Sequence, residues 1–200
     1  GSTPVFSTLI SSGSTFATPT GTYSILYHVQ SQRMTGPGYD LPNGEEDVGL
    51  VWLYYGSDAG LSATPAWTVT GVISHTALGA SVSGAGDVNN DGYDDLVISA
   101  PRTGSAYTSD PNQNFSTAYL YLGSHNGPAV TPAWSFTVTY AEPRPTHTMA
   151  VAGAGDVNKD GYDDVVVGGP AYEGGQPVEG AMWLFPGFSN GLRPAVCHVS

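Results

Sequence analysis

Short apolar runs separated by turns rich in glycine, proline and aspartate recur along the whole chain. Leu96-Val97-Ile98 and Val165-Val166-Val167 are unbroken apolar triplets, as expected of strands covered on both faces. A second recurring run reads Val51-Trp52-Leu53-Tyr54-Tyr55-Gly56-Ser57, then Tyr119-Leu120-Tyr121-Leu122-Gly123-Ser124, then Met182-Trp183-Leu184-Phe185-Pro186-Gly187, each followed by a turn containing Gly60, Gly127 or Gly191. A third opens at Pro4, Pro65, Pro132 and Pro194, with an apolar or aromatic residue two places on. Together these divide the chain into units of about 65 residues, over 4–64, 65–131 and 132–193, with a stub over 194–200. Each unit predicts about four strands, in the second over 66–70, 80–85, 96–100 and 118–122.

Two of the turns are nearly the same eighteen letters. Residues 84–101 read GAGDVNNDGYDDLVISAP and residues 153–170 read GAGDVNKDGYDDVVVGGP, which makes the chain a repeat protein. In each copy Asp87, Asn89, Asp91 and Asp95, or Asp156, Asn158, Asp160 and Asp164, stand at positions one, three, five and nine of a loop with glycine at position six. That is the ligand spacing of a calcium loop. Like charges this close repel by roughly 1 kcal/mol per pair in water and about 4 at an effective dielectric near 20, a cost that a cation among them removes. Ca²⁺ takes six to eight hard oxygen ligands, so the main-chain carbonyl at position seven, Tyr93 or Tyr162, completes each set. Gly92 and Gly161 serve the sharp turn. Position twelve, where a helix-loop-helix calcium site places a bidentate Glu, holds Ile98 or Val167, so the loop runs into a strand. Asp94 and Asp163, at position eight, are expected to be solvated. The competing reading is an Asp/Asn/Gly-rich turn that binds nothing.

The two loops with their following strands resemble the FG-GAP repeat of integrin α-subunit β-propellers and of bacterial extracellular proteins. The resemblance implies two Ca²⁺ sites on one face of a propeller, held by the residues just named, and a following strand near the central axis. Four short antiparallel strands per repeat is also a propeller blade. The expected fold is therefore all-β: a single repeat region over 1–200, with about three blades and calcium-binding loops. Three blades do not close a ring, which typically takes four to eight, so either oligomerisation, such as a homodimer, completes it or the chain belongs to a larger propeller.

The first unit is degenerate. Residues 18–27 read TPTGTYSILY, where Gly21 stands for the turn glycine but no carboxylate is present, so no metal is expected there. The segment 29–48 holds Arg33, Asp40, Glu45, Glu46 and Asp47 and is expected to be a long, solvated loop.

Composition narrows the function. Forty per cent of the 200 residues are hydrophobic, enough for one domain-sized core. With 27 Gly and 15 Pro, strands and turns suit the chain better than helices. A formal net charge of −12 argues against nucleic acid and anionic membrane surfaces, which need basic patches. Two bound Ca²⁺ would bring it to about −8. No apolar run approaches a membrane span, so no membrane insertion is expected, and the single cysteine, Cys197, forms no internal disulfide. The opening Gly1-Ser2 has the look of a cloning scar, leaving room for a secretion signal ahead of it. Calcium loops of this kind fill where Ca²⁺ is millimolar, which places the protein outside the cell or at its surface.

No catalytic constellation stands out. His28, His75, His125, His147 and His198 are scattered and out of register with the loops, and no Gly-x-Ser-x-Gly elbow occurs. The expected function is a non-enzymatic, calcium-binding adhesion or protein-interaction module with calcium in a structural role. The alternatives are a calcium-dependent lectin that stacks sugars on recurring aromatics such as Trp67 and Trp134, and a noncatalytic accessory region of a secreted polysaccharide-active enzyme. The partner is accordingly a protein or carbohydrate ligand at the cell surface. Buried aromatics at the junctions between blades favour the interaction module; exposed ones favour the lectin.

Overall fold

A computed structural model describes residues 15–18, 21–24, 26–29, 48–54, 56–57, 60–73, 75–102, 115–140, 148–173 and 179–199. The long loop expected over 29–48 lies, apart from its two ends, outside these residues, as does the opening Gly1-Ser2. All regular structure among the described residues is β, and none of it is a helix able to cross a membrane.

The strands are β1 (Thr15–Thr18), β2 (Gly21–Ser24), β3 (Leu26–Val29), β4 (Leu50–Tyr54), β5 (Gly56–Ser57), β6 (Gly60–Leu61), β7 (Trp67–Thr70), β8 (Val82–Gly86) and β9 (Asp95–Pro101). They continue with β10 (Phe115–Tyr121), β11 (Trp134–Thr139), β12 (Ala150–Gly155), β13 (Asp164–Gly169), β14 (Ala181–Phe185), β15 (Gly187–Phe188), β16 (Gly191–Leu192) and β17 (Cys197–Val199). A first sheet has the order β3-β4-β7, with β1 and β2 paired as a hairpin ahead of it. The second is β8-β9-β10-β11 and the third β12-β13-β14-β17, every pairing antiparallel. These are the expected blades.

Strand membership differs from the sequence reading in one respect. The strand that opens each sequence unit closes the preceding sheet: Leu53 pairs with Trp67, Leu120 with Trp134, and Leu184 with Cys197. The repeat in the letters and the repeat in the sheets are thus offset by one strand. The reason is connection length. A tight turn such as β5–β6 or β15–β16 returns the chain beside the strand it has just left, and short connections make antiparallel neighbours.

Each sheet is narrow at one edge and thick at the other. At the narrow edge β8 and β12 lie against each other, built from Gly, Ala, Ser and Val. Gly153 comes so close to Gly84 that an added side-chain carbon would sit 2.6 Å from the Gly84 carbonyl oxygen. Two serines stitch this edge, the Val151 N–H donating to Ser81 Oγ at 3.1 Å and the Gly153 N–H to Ser83 Oγ at 3.4 Å. At the thick edge aromatic rings fill the gap: Trp134 and Phe136 meet Phe185 at centroid distances of 4.8 Å, and Phe136 meets Trp183 at 5.2 Å. Trp67 meets Tyr121 edge-on at 5.4 Å in the junction between the first and second sheets. Small residues inside and large ones outside splay the sheets as a propeller requires.

The core lies between sheets. Val51, Leu53 and Trp67 pack on Leu96, Ile98 and Tyr121 in one junction. Val97, Ala118, Leu120 and Val138 pack on Val151, Val165, Val167 and Phe185 in the other. Strand β9 is covered on both faces, with Leu96, Val97 and Ile98 fully buried, each contributing about 1.5–3 kcal/mol. Strand β13 differs from expectation: Val165 and Val167 are buried, but Val166 is only half-buried. Among the described residues nothing is stacked on the outer face of the third sheet, where Met182 is 48% exposed.

The close approach at the narrow edge gives a matched pair of variants. Gly153→Ala is expected to cost about 1–3 kcal/mol by overpacking. Gly168→Ala, whose added carbon would meet only Ala150 Cβ at 4.0 Å, should be neutral or slightly stabilising. Urea unfolding of both compares them directly, and equal losses contradict the close packing of β8 on β12.

Candidate metal centre

Each Asp-rich loop joins the innermost strand of a sheet to the next. A bulge precedes it: pairing skips between Gly84 and Gly86, and between Gly153 and Gly155, and the second glycine of each pair has φ of +73° or +68°. Such a bulge turns the strand sharply, so that Asp87 and Asp156 leave the sheet to begin the loops. Within the loops Gly92 and Gly161 have φ of +91° and +90°, and Asn90 and Lys159 at position four have φ of +57° and +62°. Glycine adopts this left-handed conformation without strain, and asparagine tolerates it better than most residues.

Two side chains, those at positions one and three, close on the position-five N–H in each loop, and the position-five side chain bonds beside them. The Asp91 N–H donates to Asp87 Oδ1 at 3.0 Å and to Asn89 Oδ1 at 3.1 Å. The Gly92 N–H donates to Asp87 Oδ2 at 2.8 Å, the Tyr93 N–H to Asp91 Oδ1 at 3.0 Å, and Asn89 Nδ2 to Asp91 Oδ2 at 2.9 Å. The second loop repeats every bond: Asp160 N–H to Asp156 and Asn158, Gly161 N–H to Asp156, Tyr162 N–H to Asp160, and Asn158 Nδ2 to Asp160, all between 2.8 and 3.1 Å. The structure therefore brings Asp87, Asn89 and Asp91 together, and likewise Asp156, Asn158 and Asp160.

The position-nine carboxylates are placed differently. Asp95 and Asp164 are fully buried and accept backbone bonds with both oxygens. Val88 N–H donates to Asp95 Oδ2 at 2.9 Å and Gly123 N–H to Oδ1 at 2.7 Å. Val157 N–H and Gly187 N–H do the same for Asp164 at 3.0 and 2.9 Å. Burial pushes the Asp95 pKa up to about 7; the Gly123 and Val88 N–H bonds oppose the rise, and the Asp91 and Asp87 charges add to it. Among the described residues, no three His, Cys, Asp or Glu side chains stand together as a group able to hold a metal. Two Asp side chains and one Asn side chain gather in each loop. The contribution expected of Tyr93 and Tyr162 is a main-chain carbonyl.

The sequence reading missed two features of these loops. Gly123 and Gly187 must be glycine for the β10–β11 and β14–β16 turns to lie on the loops, because a side-chain carbon there would collide with the Asp94 and Asp163 carbonyls. The signal was present in the glycine that recurs after each second apolar run. Asp163 is not simply solvated: its carboxylate accepts the Asp87 N–H, from the other loop, at 2.9 Å. Trp67 and Trp183 are buried at the junctions between sheets, and Trp134 lies half-buried among other rings.

The FG-GAP repeat family model matches residues 78–121 and 149–184, each match covering one loop with its flanking strands. Sequence relatives include integrin α subunits. Integrin alpha-8 of Gallus gallus is 29% identical over 176 residues, covering 84% of this chain and 16% of that protein. Integrin alpha-5 of Xenopus laevis is 31% identical over 153 residues, covering 76% and 14%. Integrin alpha-IIb of Homo sapiens is 34% identical over 113 residues, covering 56% and 11%. The chain spans less than a fifth of the length of these relatives. All three are animal proteins.

Proposed function

The protein is an FG-GAP repeat protein related by sequence to integrin α subunits, and on that footing we propose that it is a calcium-binding, extracellular β-propeller module for adhesion or protein interaction. Residues 1–200 form one repeat region, with frames of about 4–64, 65–131 and 132–193, and the loops of the second and third frames take one Ca²⁺ each. The observation that carries this reading is the convergence, twice over, of the position-one and position-three oxygens onto the position-five N–H, with the position-five carboxylate bonded beside them to the position-three amide. All the donors are hard oxygens, as Ca²⁺ prefers. An oxygen that accepts one N–H keeps a further lone pair, so the donor set fits the ion.

Asp87, Asn89 and Asp91 would hold one ion and Asp156, Asn158 and Asp160 the other, with Asp95, Asp164 and the Tyr93 and Tyr162 carbonyls completing the sets. The role is structural. A bound cation neutralises the carboxylate crowd and fixes the connection between two strands, so each blade presents its loops rigidly to a protein partner. The buried tryptophans favour this over a lectin, whose sugar would need exposed rings at the blade junctions. No step of catalysis is assigned to any residue.

The outer face of the third sheet belongs to the same reading. Val157, Val166, Met182 and Leu184 stand at the repeat positions that Val88, Val97, Ala118 and Leu120 occupy in the second blade, where all four are fully buried. A further blade is what such a face takes, and a second copy of this chain would supply one, giving a homodimer. Light scattering should then return the mass of two chains, and a single-chain mass at every concentration contradicts the dimer.

Calcium at a hundred times its dissociation constant should stabilise the fold by about 2.7 kcal/mol per site. Thermal melting with and without a chelator should therefore show a calcium-dependent rise that Asp91→Ala combined with Asp160→Ala abolishes. An undiminished rise in that double variant overturns the assignment.

A further inference from the structure

The two loops touch, through Asp163. Its carboxylate Oδ2 accepts the Asp87 N–H at 2.9 Å, and its own N–H donates to the Asp87 carbonyl at 3.2 Å. One residue of the third blade therefore holds both peptide groups of Asp87, the residue at position one of the second blade's loop. Gly86 makes room for this: a side-chain carbon there would collide with the Asp163 carboxylate. Gly155, its counterpart in the third blade, has nothing within 4 Å of the same point. The contact is thus a property of the junction between blades. Gly187 closes it from the third side, with a side-chain carbon there 2.6 Å from the Val88 carbonyl and 2.8 Å from Tyr162 Cβ.

We propose that Asp163 is a positioning residue that couples the two loops, so that calcium in either raises the affinity of the other. The inference rests on the reading of both loops as calcium sites. Asp163 lies between Tyr162, whose carbonyl is assigned to the ion of its own loop, and Asp164, which bolts that loop to the Gly187 turn. An ion that fixes the backbone from Asp160 to Asp164 fixes Asp163 with it. Asp163 in turn fixes the peptides on either side of Asp87, a ligand of the other ion. Ordering the second loop then costs less conformational entropy once the first is filled. The effect is reciprocal, because linkage between two binding sites works equally in both directions. In the Asp163-Asp164 pair the two carboxylates thus have separate tasks: Asp164, at position nine, ties the loop to its own blade, and Asp163, at position eight, ties it to the blade before.

The test is a titration with calcium alone on the whole chain, following the amide signals of Gly92 and Gly161 by NMR, which read the two loops separately. Asp160→Ala, which removes a ligand from the loop of the third blade, should move the Gly92 midpoint to roughly fivefold higher calcium or more. In an Asp163→Ala background the same Asp160→Ala change should leave the Gly92 midpoint within about twofold of its value without it. If Asp163→Ala does not fold, Gly86→Ala displaces the same carboxylate and serves as the background. A Gly92 midpoint unmoved by Asp160→Ala in the otherwise native chain overturns the coupling and leaves the calcium reading standing. An equal shift in both backgrounds overturns the role of Asp163. Amide signals that ignore calcium in the native chain overturn the coupling together with the calcium reading beneath it.

Discussion

One buried carboxylate in each of the second and third blades holds the loop end of that blade in place. Asp95 begins the most buried strand, β9, and from there grips the start of its own loop at Val88 and the start of the following turn at Gly123. Asp164 repeats the arrangement with Val157 and Gly187. Leaving a buried backbone N–H without a partner costs about 1–3 kcal/mol, so each of these side chains secures two such groups at once. It is also an acidic group deep in the protein, and burial, with the Asp91 and Asp87 charges adding to it, raises the Asp95 pKa to about 7. A nearby cation would lower it again. The same residue thus links the packing of the blade to the charge of the loop.

The rest of the architecture follows from side-chain size. Glycine, alanine and serine line β8 and β12, and the backbones there approach until Gly153 has no room for a methyl group. Tryptophan and phenylalanine fill the outer part of the junctions. A sheet that is thin at one edge and thick at the other cannot stack flat; it fans about an axis. The loops emerge from the bulges next to that thin edge, which brings the loop of one blade against the loop of the next and allows Asp163 to reach Asp87.

Much of this was legible in the letters. The paired eighteen-residue segments and the apolar triplets announced an all-β repeat protein, because period and turn chemistry are local properties. Which sheet a strand joins is not local. Trp67 and Trp134 begin a unit in the letters yet end a sheet in space, and only the length of the connecting turn reveals it. Asp163 was read as solvated because an aspartate beside another aspartate looks the same whether its partner is water or the next blade. Val166 was expected to be covered because it matches Val97. Identical repeats do not reveal that, among the described residues, only the second sheet is flanked on both sides. The gathering of the position-one, -three and -five side chains in each loop was readable from spacing, whereas the inward turn of Asp95 and Asp164 toward backbone N–H groups depends on the Gly123 and Gly187 turns, far along the chain.

The most direct measurement is a crystal structure grown in millimolar calcium. The account predicts two ions per chain, one in each loop, each bound by the oxygens at positions one, three and five. Loops that keep their side chains on the Asp91 and Asp160 N–H groups, with only water beside them, would contradict it.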